Sequence, residues 1–304
     1  MKILLIKLGA LGDMVQTLPF FKAFKQQHPH DEVILLTSRI YKNFMEETGY
    51  FDGIWTVERK GLCSFLKAVK RVRAYDFSKI YDLQLVDRTS YWGPFFTVAT
   101  MAKWYGYSPL DVFLEKHRHI HKMHGWDRLQ DLFKKWGLEK VSLEALNPFE
   151  EKIFVHEMLK NPYALFAIGA SLTFEGGKIW PLEHYQKVIN SVYDKGILPV
   201  VIGGKLEQTK KLENCLNLIE KTSIQDLFPL SKNALFCLSN DTGAGHIFAS
   251  SKTPTLILYG RHTDPVQCAP RLETVITLRK EQISAITPLE VLEALGKMVG
   301  PLKD

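Results

Sequence analysis

Ala234-Leu235-Phe236-Cys237-Leu238 runs directly into Ser239-Asn240-Asp241-Thr242-Gly243-Ala244-Gly245-His246, and Ile247-Phe248-Ala249 follows. The apolar run predicts a strand, the polar and glycine-rich stretch a tight turn, and the residues after it a helix. A helix N-terminus presents unpaired N–H groups and a partial positive charge, so this turn is a candidate phosphate seat. Gly243 and Gly245 remove the Cβ atoms that would keep a ligand away from the backbone. Asp241 and His246 offer chemistry beyond the phosphate.

The same strand–turn–helix pattern recurs along the chain. In the second half, Tyr163 to Ile168, Leu198 to Ile202, Thr255 to Tyr259 and Thr274 to Leu278 read as strands. Leu182 to Asp194 and Pro288 to Val299 read as helices. In the first half, Ile3 to Ile6, Val33 to Leu36, Ile54 to Val57 and Lys79 to Leu83 read as strands. Met14 to Gln27, Cys63 to Arg73, Thr89 to Lys103 and Trp126 to Trp136 read as helices, with Pro19 a kink or restart in the first. Such alternation predicts an α/β chain with open parallel sheets. Asn147-Pro148 and Asn161-Pro162 are breakers flanking a short polar segment, which puts a boundary near residue 155 between domains 1–155 and 156–304.

Composition narrows the classes. The 304 residues are 46% hydrophobic and 24% charged, as in ordinary globular proteins, and are enough for two domains. A formal charge of +6 suits an anionic substrate or the edge of an anionic membrane. Basic and aromatic residues do not interleave in a stripe, so nucleic acid is not an expected partner. Cys63, Cys215, Cys237 and Cys268 form no CxxC pair, and neither a zinc site nor a disulfide framework is expected. The opening Met1 to Lys7 is too short an apolar run for a secretion signal. A cytoplasmic location follows as an expectation, with any membrane contact peripheral.

Ligands of open α/β sheets bind at the carboxyl ends of strands. Asp13 lies just past the first strand, where it reads equally as a functional carboxylate or as an acid complementing a helix dipole. Gly9 and Gly12 shape that turn, but the full G-x-G-x-x-G of a dinucleotide site is absent. Lys67, Lys70, Arg71 and Arg73 form a basic cluster, either a solvated helix face or a seat for an anionic acceptor. His117, His119 and His121 alternate, with His124 beyond. Interleaved Lys116, Arg118 and Lys122 and the lack of a spaced carboxylate favour a polar loop over a metal site. Lys178 is either a surface lysine or a phosphate-neutralising ammonium. Glu207, after Gly203-Gly204, is either a first-turn acid or an acceptor for ribose hydroxyls.

Three stretches taken in order resemble glycosyltransferase family 9, the ADP-heptose:lipopolysaccharide heptosyltransferases. They are Lys7-Leu8-Gly9-Ala10-Leu11-Gly12-Asp13-Met14-Val15 with Thr17-Leu18-Pro19, then Lys178-Ile179-Trp180-Pro181 with Glu183-His184-Tyr185. The third is Asp241-Thr242-Gly243 with His246, followed by Thr253-Pro254-Thr255 and Tyr259-Gly260 with Thr263-Asp264-Pro265. The resemblance implies a GT-B fold, two Rossmann-like domains facing across a cleft, with the acceptor on the N-terminal domain and the nucleotide-sugar donor on the C-terminal one. It implies inverting transfer of heptose from ADP-heptose to an anionic, lipid-linked inner-core acceptor at the inner membrane, with no required metal or cofactor. Asp13 would be the general base and Lys178 would stabilise the leaving diphosphate. Ser171, Thr242, Gly243 and His246 would serve the phosphates, Asp241 the donor-sugar hydroxyls and Glu207 the ribose. Gly9, Gly12, Lys67, Lys70, Arg71 and Arg88 are the candidate acceptor residues.

Two departures leave substrate identity open. Gly260-Arg261-His262-Thr263-Asp264-Pro265 replaces the family's usual Gly-Pro-Thr-Asp-Pro and adds a residue. In Tyr81-Asp82-Leu83-Gln84-Leu85-Val86-Asp87-Arg88, Leu85 stands where the family's Asp-x-Gln loop often has glycine. The alternatives are a different nucleotide sugar or acceptor, a non-catalytic sugar-nucleotide binder, or a nicotinamide-dependent oxidoreductase.

Overall fold

The computed structural model describes residues 1–58, 61–84, 86–113, 122–142, 147–169, 178–204 and 212–300. The chain divides into two compact units, Met1–Ala145 and Leu146–Asp304.

The first unit holds a parallel sheet of β1 (Lys2–Ile6), β2 (Glu32–Thr37), β3 (Gly53–Thr56), β4 (Lys79–Asp82) and β5 (Lys103–Tyr105), in the order β3-β2-β1-β4-β5. Central β1 pairs Ile3 to Ile6 with Val33 to Leu36 on one side and with Lys79 to Asp82 on the other. Its unbroken apolar run is needed because both faces are covered. Leu4 and Ile6 join Ile34, Leu36, Val69, Val72 and Phe96 on one side. Aromatic packing fills the other. Phe20, in helix Leu11–Gln27, meets Trp126 and Phe133 at ring distances of 4.7 and 5.0 Å, and Phe24 meets Tyr81 at 5.1 Å. Helix Leu11–Gln27 runs through Pro19 without a break.

One expected helix is replaced. The stretch from Thr89 to Lys103 contains two short helices, Asp87–Ser90 and Trp92–Thr97, and the chain then enters β5. Aromatic packing decides this. Tyr105 stacks on Tyr81 at 4.4 Å, and a Cβ on Gly93 would lie 3.0 Å from the Trp104 ring. Strand geometry suits such residues on a half-buried surface.

The second unit holds β6 (Tyr163–Ala167), β7 (Leu198–Ile202), β8 (Leu216–Asn217), β9 (Cys237–Asn240), β10 (Thr255–Tyr259) and β11 (Val275–Arg279). All pairs are parallel, in the order β11-β10-β9-β6-β7-β8. Helices Leu182–Tyr193 and Pro288–Val299 share one core with the sheet through Tyr185, Val188, Val192, Val291 and Leu295. Helix Pro288–Val299 starts with a capping box. Thr287 Oγ1 accepts from Glu290 N at 3.3 Å, and Glu290 Oε2 accepts from Thr287 N at 2.8 Å. Both sheets therefore step outward from their first strand to one side and then return to the other. In such sheets the crevice lies where the order reverses, between β1 and β4 and between β6 and β9.

Candidate active site

Each reversal point carries a cluster of polar side chains. In the first unit the turn after β1 brings Asp13 into the first turn of helix Leu11–Gln27, where Asp13 Oδ2 accepts from Ala10 N at 3.1 Å. The capping reading is thus realised, and the exposed carboxylate also lines a pocket with Lys7, Gln16, Gln84, Val86, Gly125, Arg128 and Leu129. Gly9, at φ 115°, occupies the region where a side chain is strained. Its carbonyl accepts from Gln84 Nε2 at 2.8 Å, while Gln84 Oε1 accepts from Leu8 N at 2.7 Å. Asp82 Oδ1 accepts from Gln84 N at 2.9 Å, so β4 ends in a turn that fastens the turn after β1.

Lys7 is buried, and its ammonium donates to Leu83 O at 2.9 Å. Burial pushes its pKa down, and the Arg128 guanidinium adds to this; Asp13 and Asp82 oppose it. Arg128 comes from helix Gly125–Lys135, whose N-cap His124 accepts from Trp126 N through Nδ1 at 3.1 Å. At Gly125 a Cβ would lie 2.5 Å from Gln16 Oε1, so a larger residue there would move the end of the Gln16 side chain. His124 thus has a capping role, while His117, His119 and His121 lie outside the described residues. Among the described residues no group of three or more His, Cys, Asp or Glu is arranged to hold a metal.

The remaining basic candidates sit elsewhere in this unit. Lys67, Lys70 and Arg71 are exposed on helix Leu62–Tyr75, and the Arg71 guanidinium lies 3.7 Å over the Trp55 ring. Arg88 lies 5.5 Å over the Trp92 ring. None of the four is among the residues lining the Asp13 pocket.

In the second unit the loop after β6 and the turn after β9 meet. Lys178 Nζ bonds Asp241 Oδ2 at 2.6 Å, both side chains largely buried. Thr242 is the N-cap of helix Gly243–Ser250, yet its hydroxyl does not cap; it pairs with Ser239 Oγ at 3.1 Å. Among the described residues no side chain caps that helix, which leaves its first N–H groups to an anion. Gly243 opens the helix. His246 is buried within it. At Gly245 a Cβ would lie 3.1 Å from Ile257 Cδ1. Ser171 and Glu207 lie outside the described residues.

Asn240 holds this corner together. It is fully buried, its Oδ1 accepts from Trp180 N at 3.2 Å and Tyr185 Oη at 3.0 Å, and its Nδ2 donates to Ile168 O at 3.3 Å. Trp180 Nε1 donates to Ile286 O at 2.8 Å. The Lys-Ile-Trp-Pro stretch is thereby anchored two residues beyond Lys178. Nearby, burial pushes the Cys268 thiol up to about 12, with Asp241 adding to the shift.

Sequence reasoning assigned no role to Lys7, Gln84, Arg128 or Asn240. The first two stand inside stretches that carry the family resemblance, and Asn240 directly precedes Asp241. Arg128 has no local pattern that marks it.

Two parallel α/β units of matching topology, each with polar side chains at its reversal point, form a two-domain doubly wound architecture. The profile of glycosyltransferase family 9 (heptosyltransferase) matches residues 114–295, more than half of the chain. Lipopolysaccharide heptosyltransferase 3 of Escherichia coli (strain K12) is 23% identical over 297 residues, covering 87% of this chain and 84% of that protein. The glycosyl transferase family 9 structure from Veillonella parvula DSM 2008 superposes with a TM-score of 0.77 at 19% identity, covering 98% of this chain and 97% of that one. E. coli heptosyltransferase WaaC with ADP-2-deoxy-2-fluoro heptose gives a TM-score of 0.76 at 19% identity, covering 98% of this chain and 99% of that one. The chain belongs to glycosyltransferase family 9, the heptosyltransferase family, and is a transferase with the two-domain fold of the GT-B heptosyltransferases. The oxidoreductase alternative is set aside by this membership.

Proposed function

We propose that this transferase moves heptose from ADP-heptose to a lipopolysaccharide inner-core acceptor, with inversion at the anomeric carbon and without a metal in the chemistry. The observation that carries the reading is the Lys178–Asp241 pair beside an uncapped helix N-terminus at the β6/β9 reversal point. An ammonium and aligned N–H groups suit a leaving nucleoside diphosphate. Asp13 is the general base. It takes the acceptor hydroxyl proton as that oxygen attacks the anomeric carbon; the bond to the diphosphate breaks, and ADP departs against Lys178, Thr242 and Gly243. Asp241 holds donor-sugar hydroxyls, His246 supports the diphosphate region, Ser171 contacts phosphate and Glu207 binds the ribose.

The first unit takes the acceptor and the second the donor. Arg128, with Lys7 behind it, gives the Asp13 pocket the charge to receive an anionic acceptor, and Gly9 and Gly12 shape its wall. The work is done at the cytoplasmic face of the inner membrane. Likeness to a lipopolysaccharide heptosyltransferase over most of both chains supports this substrate class. Incubation with ADP-heptose and inner-core acceptor should release ADP, whereas no release with that pair would overturn the reading.

A second reading keeps the chemistry and changes the donor. Arg261 and His262, both exposed, lengthen the loop after β10, and Arg261 N donates to Glu281 O at 3.2 Å. Thermal shifts with ADP, UDP and GDP decide between them, because only a ligand that binds the native state raises its melting temperature. The leading reading expects the largest shift from ADP.

A further inference from the structure

The net positive charge of the chain is confined to one unit. Met1–Ala145 contains 22 lysines and arginines against 16 aspartates and glutamates, whereas Leu146–Asp304 contains 17 of each. Part of the excess stands on one surface. Helix Leu62–Tyr75 carries exposed Lys67, Lys70 and Arg73, and no acidic residue occurs in 61–75 or in 88–110.

The same surface exposes large apolar side chains. Leu62 is 70% and Leu66 52% exposed. Phe65, between them, turns inward to Trp92 and Phe95 at ring distances of 5.4 and 5.5 Å. Phe95, in helix Trp92–Thr97, is itself 51% exposed, and its carbonyl accepts from Arg73 Nε at 2.8 Å. These contacts fasten the two helices side by side. At about 100° per residue, Leu62, Leu66 and Arg73 fall within an arc of about 40° on the flank nearest Phe95, with Lys70 next round the helix. Arg71 points to the other flank, over Trp55. The result is an apolar strip bordered by charges of one sign.

We propose that this face docks on an anionic bilayer surface. Leu62, Leu66 and Phe95 enter the boundary between headgroups and acyl chains. Lys70 and Arg73 reach the lipid phosphates, their stems lying along the apolar strip, and Lys67, about 100° round the helix from Leu66, adds charge beyond it. Charge selects this occupant over a second copy of the chain, since two such faces would oppose like charges. Among the described residues no helix is long and apolar enough to cross a membrane, so contact of this kind is peripheral. The inference names the membrane partner of the proposed transferase and rests on that reading only for its purpose, because bilayer binding needs neither donor nor acceptor.

Flotation of the full chain with vesicles of equimolar phosphatidylglycerol and phosphatidylcholine, compared with phosphatidylcholine alone, is the test. The intact chain floats with the anionic vesicles and not with the neutral ones. Lys67→Glu/Lys70→Glu weakens partitioning by about 25-fold or more. Leu62→Ser/Leu66→Ser weakens it by about tenfold, while retaining the wild-type melting temperature and the rate of ADP release on a delipidated acceptor. Failure of the wild-type chain to float overturns the proposal, and so does either variant floating as well as wild type. If the chain floats as expected but transfers no sugar, the docking surface stands and the functional reading falls.

Discussion

The two reversal points have the same topology and opposite electrostatic arrangements. Between β1 and β4, the carboxylate of Asp13 is exposed and the ammonium of Lys7 is buried behind it. Between β6 and β9, an ammonium and a carboxylate close on each other at 2.6 Å beside a helix N-terminus. An exposed carboxylate over a pocket suits proton abstraction, which requires direct reach to a hydroxyl. A paired lysine beside free N–H groups suits an incoming diphosphate, which can take over the ammonium from Asp241. Topology alone therefore does not distinguish the two corners; the side chains after the first and fourth strands of each sheet do, and the proposed roles rest on them.

The largest effect expected from this contrast is at Asp13. Asp13→Asn keeps an acceptor for Ala10 N and removes the proposed base, so kcat should fall by about 10²–10⁴ with little change in melting temperature. Initial rates of ADP release measure it, and a wild-type rate would break the comparison at its first member. Next comes Asn240→Leu. It leaves Trp180 N and Tyr185 Oη without their acceptor in a dry site, which costs about 2–5 kcal/mol in urea unfolding. A near-neutral result would mean that the donor corner is not held by this amide.

Smaller is the effect of Lys178→Met, which should weaken ADP binding by about tenfold to 100-fold in calorimetry. Smallest is a change in pH dependence. Burial holds the Lys7 pKa below the ordinary lysine value of 10.5. Between the lowered value and 10.5 the unfolded chain binds the proton and the native state does not, so the penalty that burying the Lys7 ammonium imposes on stability shrinks as pH rises across that window and is gone above it. Lys7→Met should remove that part of the slope. Urea midpoints at about pH 7 and about pH 10 should draw closer together in the variant than in wild type. An unchanged slope would put the Lys7 ammonium in water instead of under the pocket.

What the sequence made legible was local. The run Ile3 to Ile6, the strand leading to Asp241 and the helix Leu182–Tyr193 follow from apolar periodicity and turn residues. Illegible were features decided by distant partners. β5 exists because Tyr105 stacks on Tyr81 and Trp104 packs on Gly93. Gln84 matters through bonds to Leu8 and Gly9, in a turn far along the chain. Arg128 reaches the Asp13 pocket from a helix more than a hundred residues further along the chain. Asn240 looks like a turn residue in sequence, and only the packing shows that it is buried and fully used.

The central claim is that the two reversal points do separate work, base chemistry after β1 and donor binding after β9. ADP binding to Asp13→Asn, titrated beside its transfer rate, tests this most directly. The account predicts an ADP affinity within about twofold of wild type and a transfer rate lower by about 10² or more. An ADP affinity as weak as that of Lys178→Met, or transfer at the wild-type rate, would contradict it.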